Sequence, residues 1–352
     1  MIKMVSAARI AAHLSKYLIV YVVLVVLIAL PIGYYNAYFF EVHKGIIKNV
    51  ILSLAIGTIL PSMIQLRSEK MGKELRSKPK EVIITAVIIF IITPLLAMLF
   101  ANHIGHRIVS IGYIAANSVP ASSASVAYVM LAGGNIELAT VLVILSVLIA
   151  LFAAPTYVAL FAQSVHVRLP ITVLAQSVMI ALLFPLILGQ IIRYCFIIRK
   201  AKKPTQTSSG DLGVRERLED KIMKRIKPYL SIWTITFMLT LIGVLIANKA
   251  RLLISKPSLA LYIISAQLVI YATVILSVIV ASKVLNIGYR DHMAMVFISL
   301  TKNESVAAAI AVLAIGPTAA IPAALIPAIQ PLVAILYISV AHIIKRILRE
   351  TR

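Results

Sequence analysis

The chain is short of the residues that cover a water-soluble surface or carry out enzyme chemistry. Charged residues make up 13% of its 352 positions and only 12 are acidic, where a soluble globular protein carries about 25% charge. With 61% hydrophobic residues and a mean hydropathy of +1.01, too little charge is left to clothe a globular exterior, so a soluble domain is excluded. A single cysteine, Cys195, rules out an internal disulfide and any thiolate metal cluster, and within an apolar run it reads as a small buried hydrophobe. The seven histidines are scattered; His103 and His106 share an i,i+3 spacing but have no carboxylate or thiol close by to complete a metal site. Gly133-Gly134 is followed by no Gly-Lys-Ser/Thr, and there is neither an HExxH nor a GxSxG motif. These absences argue against an ATP-driven pump, a membrane hydrolase or any other enzyme, and no cofactor is implied.

What is present is a series of apolar runs long enough to cross a bilayer, each needing about 20 residues. They lie at 17–38, 47–66, 82–102, 108–131, 136–163, 170–198, 229–248, 258–282, 291–314 and 317–344. The reading is an all-α polytopic membrane protein with ten transmembrane helices, the first of them a retained span rather than a signal peptide. Lys and Arg cluster between the runs. With both termini in the cytoplasm, 25 of them fall on the inner side and 7 on the outer, which sets the orientation by the positive-inside rule. The formal net charge of +22 therefore points to anionic lipid headgroups and not to nucleic acid.

The longest polar connection, 199–227, is strongly basic and expected to be cytoplasmic; it begins with Pro, Thr, Ser and Gly as a flexible stretch and ends in a charged helical pattern. Spans 1–5 occupy 1–163, span 6 occupies 164–198, and spans 7–10 occupy 228–352, so that the linker separates the last two of these blocks. Five spans is an odd number, so a second five-span unit enters the membrane from the opposite face, and the halves form inverted repeats. Gly133-Gly134-Asn135 leaves almost no loop, which makes spans 4 and 5 a tight cytoplasmic hairpin.

Two runs are interrupted, and these carry the candidate site. In span 4, Pro120 and several serines break the helix at about 118–123, bringing Asn117, Ser118, Ser122, Ser123 and Ser125 together. In span 9 the break falls at about 301–304, at Thr301, Lys302, Asn303 and Glu304. Ser125-Val126-Ala127 and Ser305-Val306-Ala307 stand 180 residues apart, close to half the chain. Broken helices at corresponding places of two halves are the mark of a secondary transporter, with helix starts facing an anion and freed oxygens facing a cation. Ionisable groups in a span cost several kcal/mol unless paired, hydrated or buried in protein, so Lys302 and Glu304 mark either a functional centre or a structural ion pair. Gln176, Gln190, Gln267, Gln330 and Glu137 are the other polar residues within spans; of these Gln267 in span 8 and Gln330 in span 10 are placed to face the same region, or else to bond helix to helix.

These features resemble the bile acid:sodium symporter family and the arsenite exporters related to it. Pro120-Ala121-Ser122-Ser123-Ala124-Ser125 is similar to the family's P-G-G-T-A-S-N, Leu131 to Asn135 to its L-A-x-G-N/D, and Lys302-Asn303 to its Q-N pair. The resemblance implies ten spans in two inverted repeats, helices 4 and 9 broken and crossing, a panel of spans 1, 2, 6 and 7, and a core of spans 3–5 and 8–10. It also implies transport of a small organic anion across the cell membrane, coupled to sodium or protons, with arsenite export as the alternative. A non-transporting receptor or scaffold is a reading of another class.

The departures bear on the coupling ion. Where sodium-coupled members place a Glu and, four residues later, a Gln in span 9, this chain has Ile298 and Lys302, and Val126 replaces a span 4 Asn. Ala121 stands where arsenite exporters carry a cysteine. A lysine amine there occupies a cation's place with its own charge and is a candidate switching charge for proton coupling. The other reading keeps Lys302 charged against Glu304 and leaves one sodium near Ser122, Ser125 and Asn303. The expected partners are the solute, the coupling ion and lipid, with the chain a monomer.

Overall fold

A run of about 20 apolar residues in hydrocarbon finds hydrogen-bond partners only within itself, and helix is the form that satisfies it. The computed structural model describes residues 2–66, 75–199 and 212–349, and apart from one isolated β-bridge the regular structure among them is helical. In chain order the helices are α1 Ile2–Lys16, α2 Leu18–Tyr35, α3 Ala37–Val42, α4 Lys44–Gln65, α5 Pro79–Ala101, α6 Arg107–Ser118, α7 Ser125–Leu131 and α8 Ile136–Ser164. There follow α9 Ile171–Ile198, α10 Leu212–Asn248, α11 Ala250–Ser255, α12 Pro257–Val284, α13 Tyr289–Leu300, α14 Glu304–Ala314, α15 Pro317–Ser339 and α16 Ala341–Arg349.

Eight of these, α2, α4, α5, α8, α9, α10, α12 and α15, are long and apolar enough to cross a membrane. Their outer faces are uncovered: Leu27, Phe152, Leu261 and Leu276 all stand clear of protein, Phe152 at 77% exposure. A surface built from such side chains is stable against hydrocarbon, not water, and the protein is a multi-pass membrane protein. The apolar runs at 108–131 and 291–314 instead fold as the short pairs α6–α7 and α13–α14, interrupted at Val119–Ala124 and Thr301–Asn303.

Two packed groups result. Helix α10 runs along α4 and α2, and α9 packs on α4; in the second group α6 lies among α5, α8 and α15, with α13 against α7, α8 and α12. Helix α14 spans the seam, touching α4 and α9 on one side and α6 and α15 on the other.

Three features depart from the sequence reading. The charged end of the linker is helical, as its pattern suggested, but it is continuous with the seventh apolar run, expected from 229: one helix begins at Leu212 and continues through Pro228. Residues 200–211 of that linker lie outside the described residues. Cys195, expected to be buried, is exposed on a wide turn of α9; in a membrane span an apolar side chain is as well placed against lipid as in the interior. Wide π-turns also open α5 at Ile88–Ile92 and α9 at Met179–Leu183. Each stands just before a proline, Pro94 and Pro185, whose ring would clash with the carbonyl four residues back and which offers that carbonyl no N–H. Widening the turn relieves the clash and leaves carbonyls available.

The hairpin between α7 and α8 has the tightness expected of it. Gly133 adopts φ +68°, Gly134 N–H donates to the Val129 carbonyl at 2.8 Å, and the Asn135 side chain accepts from Leu138 N–H at 3.1 Å to start α8. A closer approach occurs at Gly112 of α6, where a Cβ would collide with the backbone carbonyl of Ala319. Gly112→Ala is expected to destabilise the protein by about 1–3 kcal/mol through overpacking. Gly45→Ala, with open space around it, serves as control. Thermal denaturation in detergent checks this: a lowered midpoint for the first and an unchanged or raised one for the second.

Candidate functional site

A break in a helix frees backbone groups that must be paired again where no water reaches. Here the two breaks pair with each other. Ser122 N–H donates to the Thr301 carbonyl at 2.9 Å and Asn303 N–H donates to the Pro120 carbonyl at 2.9 Å, an antiparallel bridge centred on Ala121 and Lys302. In such a bridge the two central residues turn their own N–H and C=O outward. Ser146 of α8 accepts from Ala121 N–H at 3.0 Å, and Gln330 of α15 accepts from Lys302 N–H at 3.2 Å while its amide donates to the Lys302 carbonyl at 3.5 Å. Each central residue is thus held by the long helix that follows its own break.

A second layer of amides surrounds the bridge. Asn117 of α6 and Gln267 of α12 exchange reciprocal hydrogen bonds of 3.1 and 3.2 Å, and Tyr271, one turn after Gln267, donates to Gln330 at 3.4 Å. Below the second break, His292 of α13 joins Ser282 of α12 and Tyr337 of α15 at 2.7 Å each. Asp291 accepts from Asn135 at 2.7 Å and pairs with Lys78 at 2.5 Å. A cavity of about 520 Å³ opens beside Lys78, Asn135 and Asp291, about three helical turns before Lys302, and so it is not part of the paired breaks.

The two ionisable residues of the second break do not meet as an ion pair through hydrogen bonds. Lys302, 3% exposed, turns its ammonium into the wide turn of α5, donating to the Ile89 carbonyl at 3.2 Å and lying 5.7 Å from the centre of the Phe90 ring. The neighbouring carbonyls of that turn are taken as well, Ile88 by Thr93 at 2.8 Å and Phe90 by Tyr157 at 2.5 Å. Glu304 is the first residue of α14, after Asn303, whose side chain accepts from Val306 N–H at 3.4 Å. Both its carboxyl oxygens are buried without a hydrogen-bond partner, as are the Tyr113 hydroxyl and the Ser299 hydroxyl.

The residues singled out in the sequence fall into three sets. Ser122, Thr301, Lys302, Asn303 and Glu304 come together at the paired breaks, with Ser123 in the turn before α7 and Ser125 returning its hydroxyl to the Ser122 carbonyl. Asn117 and Gln267 adjoin them but bond to each other. Ser118 and Thr301 direct their hydroxyls to carbonyls of their own helices, Ile114 at 2.8 Å and Phe297 at 2.7 Å. Sequence reasoning passed over Tyr113, Ser146 and Tyr271; it placed Gln330 with Gln267 as facing this region or bonding helix to helix, but did not count Gln330 among the site residues. The acceptor carbonyl of Ile89 was also missed, although Pro94 was the available signal for a disturbed turn there.

The Asn117–Gln267 pair generates a prediction. Asn117→Ala or Gln267→Ala removes the reciprocal bonds of the other buried amide, Asn117 keeping only its bond to the Tyr113 carbonyl at 3.1 Å, at a cost of about 1–3 kcal/mol. The double variant is expected to lose less than the sum, with a coupling of about 0.5–2 kcal/mol. Unfolding measurements on the four proteins of this cycle check it, and strict additivity would show that the pair contributes nothing.

Comparison with known proteins bears on what this arrangement belongs to. The chain is 34% identical over 134 residues to the "uncharacterized sodium-dependent transporter YocS" of Bacillus subtilis (strain 168), a stretch that is 37% of this chain and 40% of that protein. The chain therefore spans about two-fifths of the length of this curated relative. A family profile described as the sodium bile acid symporter family matches residues 51–256, a stretch that includes the first break and stops before the second. As that match covers more than half of its residues, the chain belongs to the sodium bile acid symporter family.

Proposed function

We propose that the protein is a secondary active transporter that moves a small organic anion across the cell membrane, driven by an ion gradient. The observation that carries this reading is the meeting of two broken helices at a buried bridge, with Lys302 at its centre. Such a junction offers a substrate polar groups at depth, and the start of α14 together with the Lys302 ammonium suits a carboxylate or sulfonate. The name of the Bacillus relative and that of the family both speak for sodium as a coupling ion.

On this reading α6–α7 and α13–α14 count as spans 4 and 9, and the molecule has ten spans in two inverted repeats. The matched roles of Ser146 and Gln330 support the symmetry. Helices α2, α4, α9 and α10 form the panel, and the remaining spans form the core. Both termini and the 199–227 linker lie in the cytoplasm, as the basic residues favour. Cysteines placed singly at 73 and 249 in a Cys195→Ser background are expected to react with impermeant reagents from opposite faces of the membrane; reaction from one face alone would overturn this topology.

Lys302 takes the place of one coupling cation. Its ammonium has carbonyl and aromatic-face partners of the kind a bound cation seeks, and a free cation beside it would meet strong repulsion. A sodium near Ser122, Ser125 and Asn303, or a proton, is the mobile ion that remains. In proteoliposomes given labelled organic anions, the native protein is expected to show saturable, uphill uptake under a sodium or a pH gradient imposed separately. Lys302→Gln is expected to lower that uptake at least tenfold or to add a sodium requirement. Absence of uptake under every gradient, across carboxylates and sulfonates, would overturn the transporter reading.

A further inference from the structure

We propose that Glu304 is a proton-binding site, its side chain holding a proton at neutral pH on one carboxyl oxygen. The site rests on geometry independent of the transporter reading; only its role in coupling depends on that reading. The binding step is simple: a proton from water adds to one Oε of the carboxylate, forming the neutral acid, and no other bond changes.

Three observations lead here. Both carboxyl oxygens of Glu304 lie buried without a hydrogen-bond partner, in a residue 6% exposed. The nearest cation, Lys302, stands two residues away in the chain and turns its amine elsewhere, to the Ile89 carbonyl and the Phe90 ring. An ionised carboxylate this near would draw the ammonium into contact, since a broken buried ion pair costs about 3–5 kcal/mol. The start of α14 does favour negative charge, but by about 0.3–2 kcal/mol, too little to offset that cost.

The surroundings contain few competing charges. Of the elements packed against α14, helix α6 brings Tyr113, whose buried hydroxyl has no partner, and Arg107 at its first turn; α15 brings Tyr337, held by His292. Helix α4 carries Lys44 and Lys48 in its first two turns and nothing titratable from Ile51 onward. The stretch of α9 against α14, Ile171–Leu183, carries none. Tyr271 of α12 is also within electrostatic reach. A metal cation at Glu304 would need a shell of several oxygens, and the side-chain carbonyl oxygens of Asn117, Gln267 and Gln330 already accept hydrogen bonds. A proton needs no such shell.

The consequence for transport follows from sign. An ionised Glu304 at the start of α14 repels an incoming anion, and its proton removes the repulsion, so anion and proton load together.

Infrared spectroscopy of the full-length protein in liposomes tests the site without any solute. At neutral pH the expected result is a protonated-carboxyl stretch that shifts in D2O and on 13C labelling of glutamate, is unchanged by sodium, and is missing from Glu304→Gln. Glu304→Asp is the second variant: it should keep a protonated-carboxyl stretch but lose the response to glutamate labelling. No glutamate-dependent stretch in the native protein, or one that disappears when sodium is added at constant pH, would overturn the proposal. A Glu304-dependent stretch in a protein that carries no solute would leave the site standing and remove the transporter reading alone.

Discussion

Everything at the centre of this molecule depends on one requirement, that backbone groups released by a broken helix be paired again where water cannot reach. An unsatisfied peptide group in hydrocarbon costs several kcal/mol, and two breaks would together expose enough of them to prevent folding. The bridge between Ala121 and Lys302 pairs four of these groups, Ser146 takes the Ala121 N–H, and Gln330 takes both the N–H and the carbonyl of Lys302. Neither break can therefore be made without the other. The polar residues of α8, α12 and α15 owe their places to it: Ser146 and Gln330 directly, Tyr271 through Gln330.

The same requirement explains how a lysine is tolerated at the bridge. Pro94 denies the Phe90 carbonyl its ordinary donor, and the widened turn from Ile88 to Ile92 opens a row of carbonyls toward the protein interior. Thr93, Lys302 and Tyr157 each take one. A proline in the third apolar run and a lysine two hundred residues later thus complete a single arrangement, in which the ammonium is desolvated but partnered. The Lys302 amine is consequently unavailable to Glu304, although the two lie next but one in sequence.

Much of this was legible in the sequence because the signals were chemical and local. Pro120 with its serines, and Lys302-Asn303-Glu304 within an alanine-rich run, located breaks that the structure places at Val119–Ala124 and Thr301–Asn303. Gly133-Gly134-Asn135 foretold the hairpin. What escaped was relational. Whether Gln267 faces a cavity or another helix depends on Asn117, 150 residues away, and no periodicity reveals such a partner. That Glu304 is unpartnered beside a lysine could not be anticipated either, because spacing of two residues suggests a pair and only the wide turn of α5 draws the amine off. Cys195 was misjudged for a simpler reason: hydrophobicity in a membrane chain does not distinguish lipid-facing from buried.

The bridge also joins unlike residues, Ala121 of the first break and Lys302 of the second, and this asymmetry limits what each can contribute to the proposed transport cycle. A tethered ammonium cannot leave the protein, so it brings no energy from a gradient; it lowers the cost of holding an anion without deciding from which side the anion comes. An ion bound equally by two conformations shifts nothing between them. Direction must then come from a group whose ligand is exchanged with water and whose occupancy alters anion binding. Among the ionisable residues at the paired breaks, Lys302 is fixed by its partners while Glu304 has no hydrogen-bond partner, and on the proposed reading this difference is what allows the second to act as the variable.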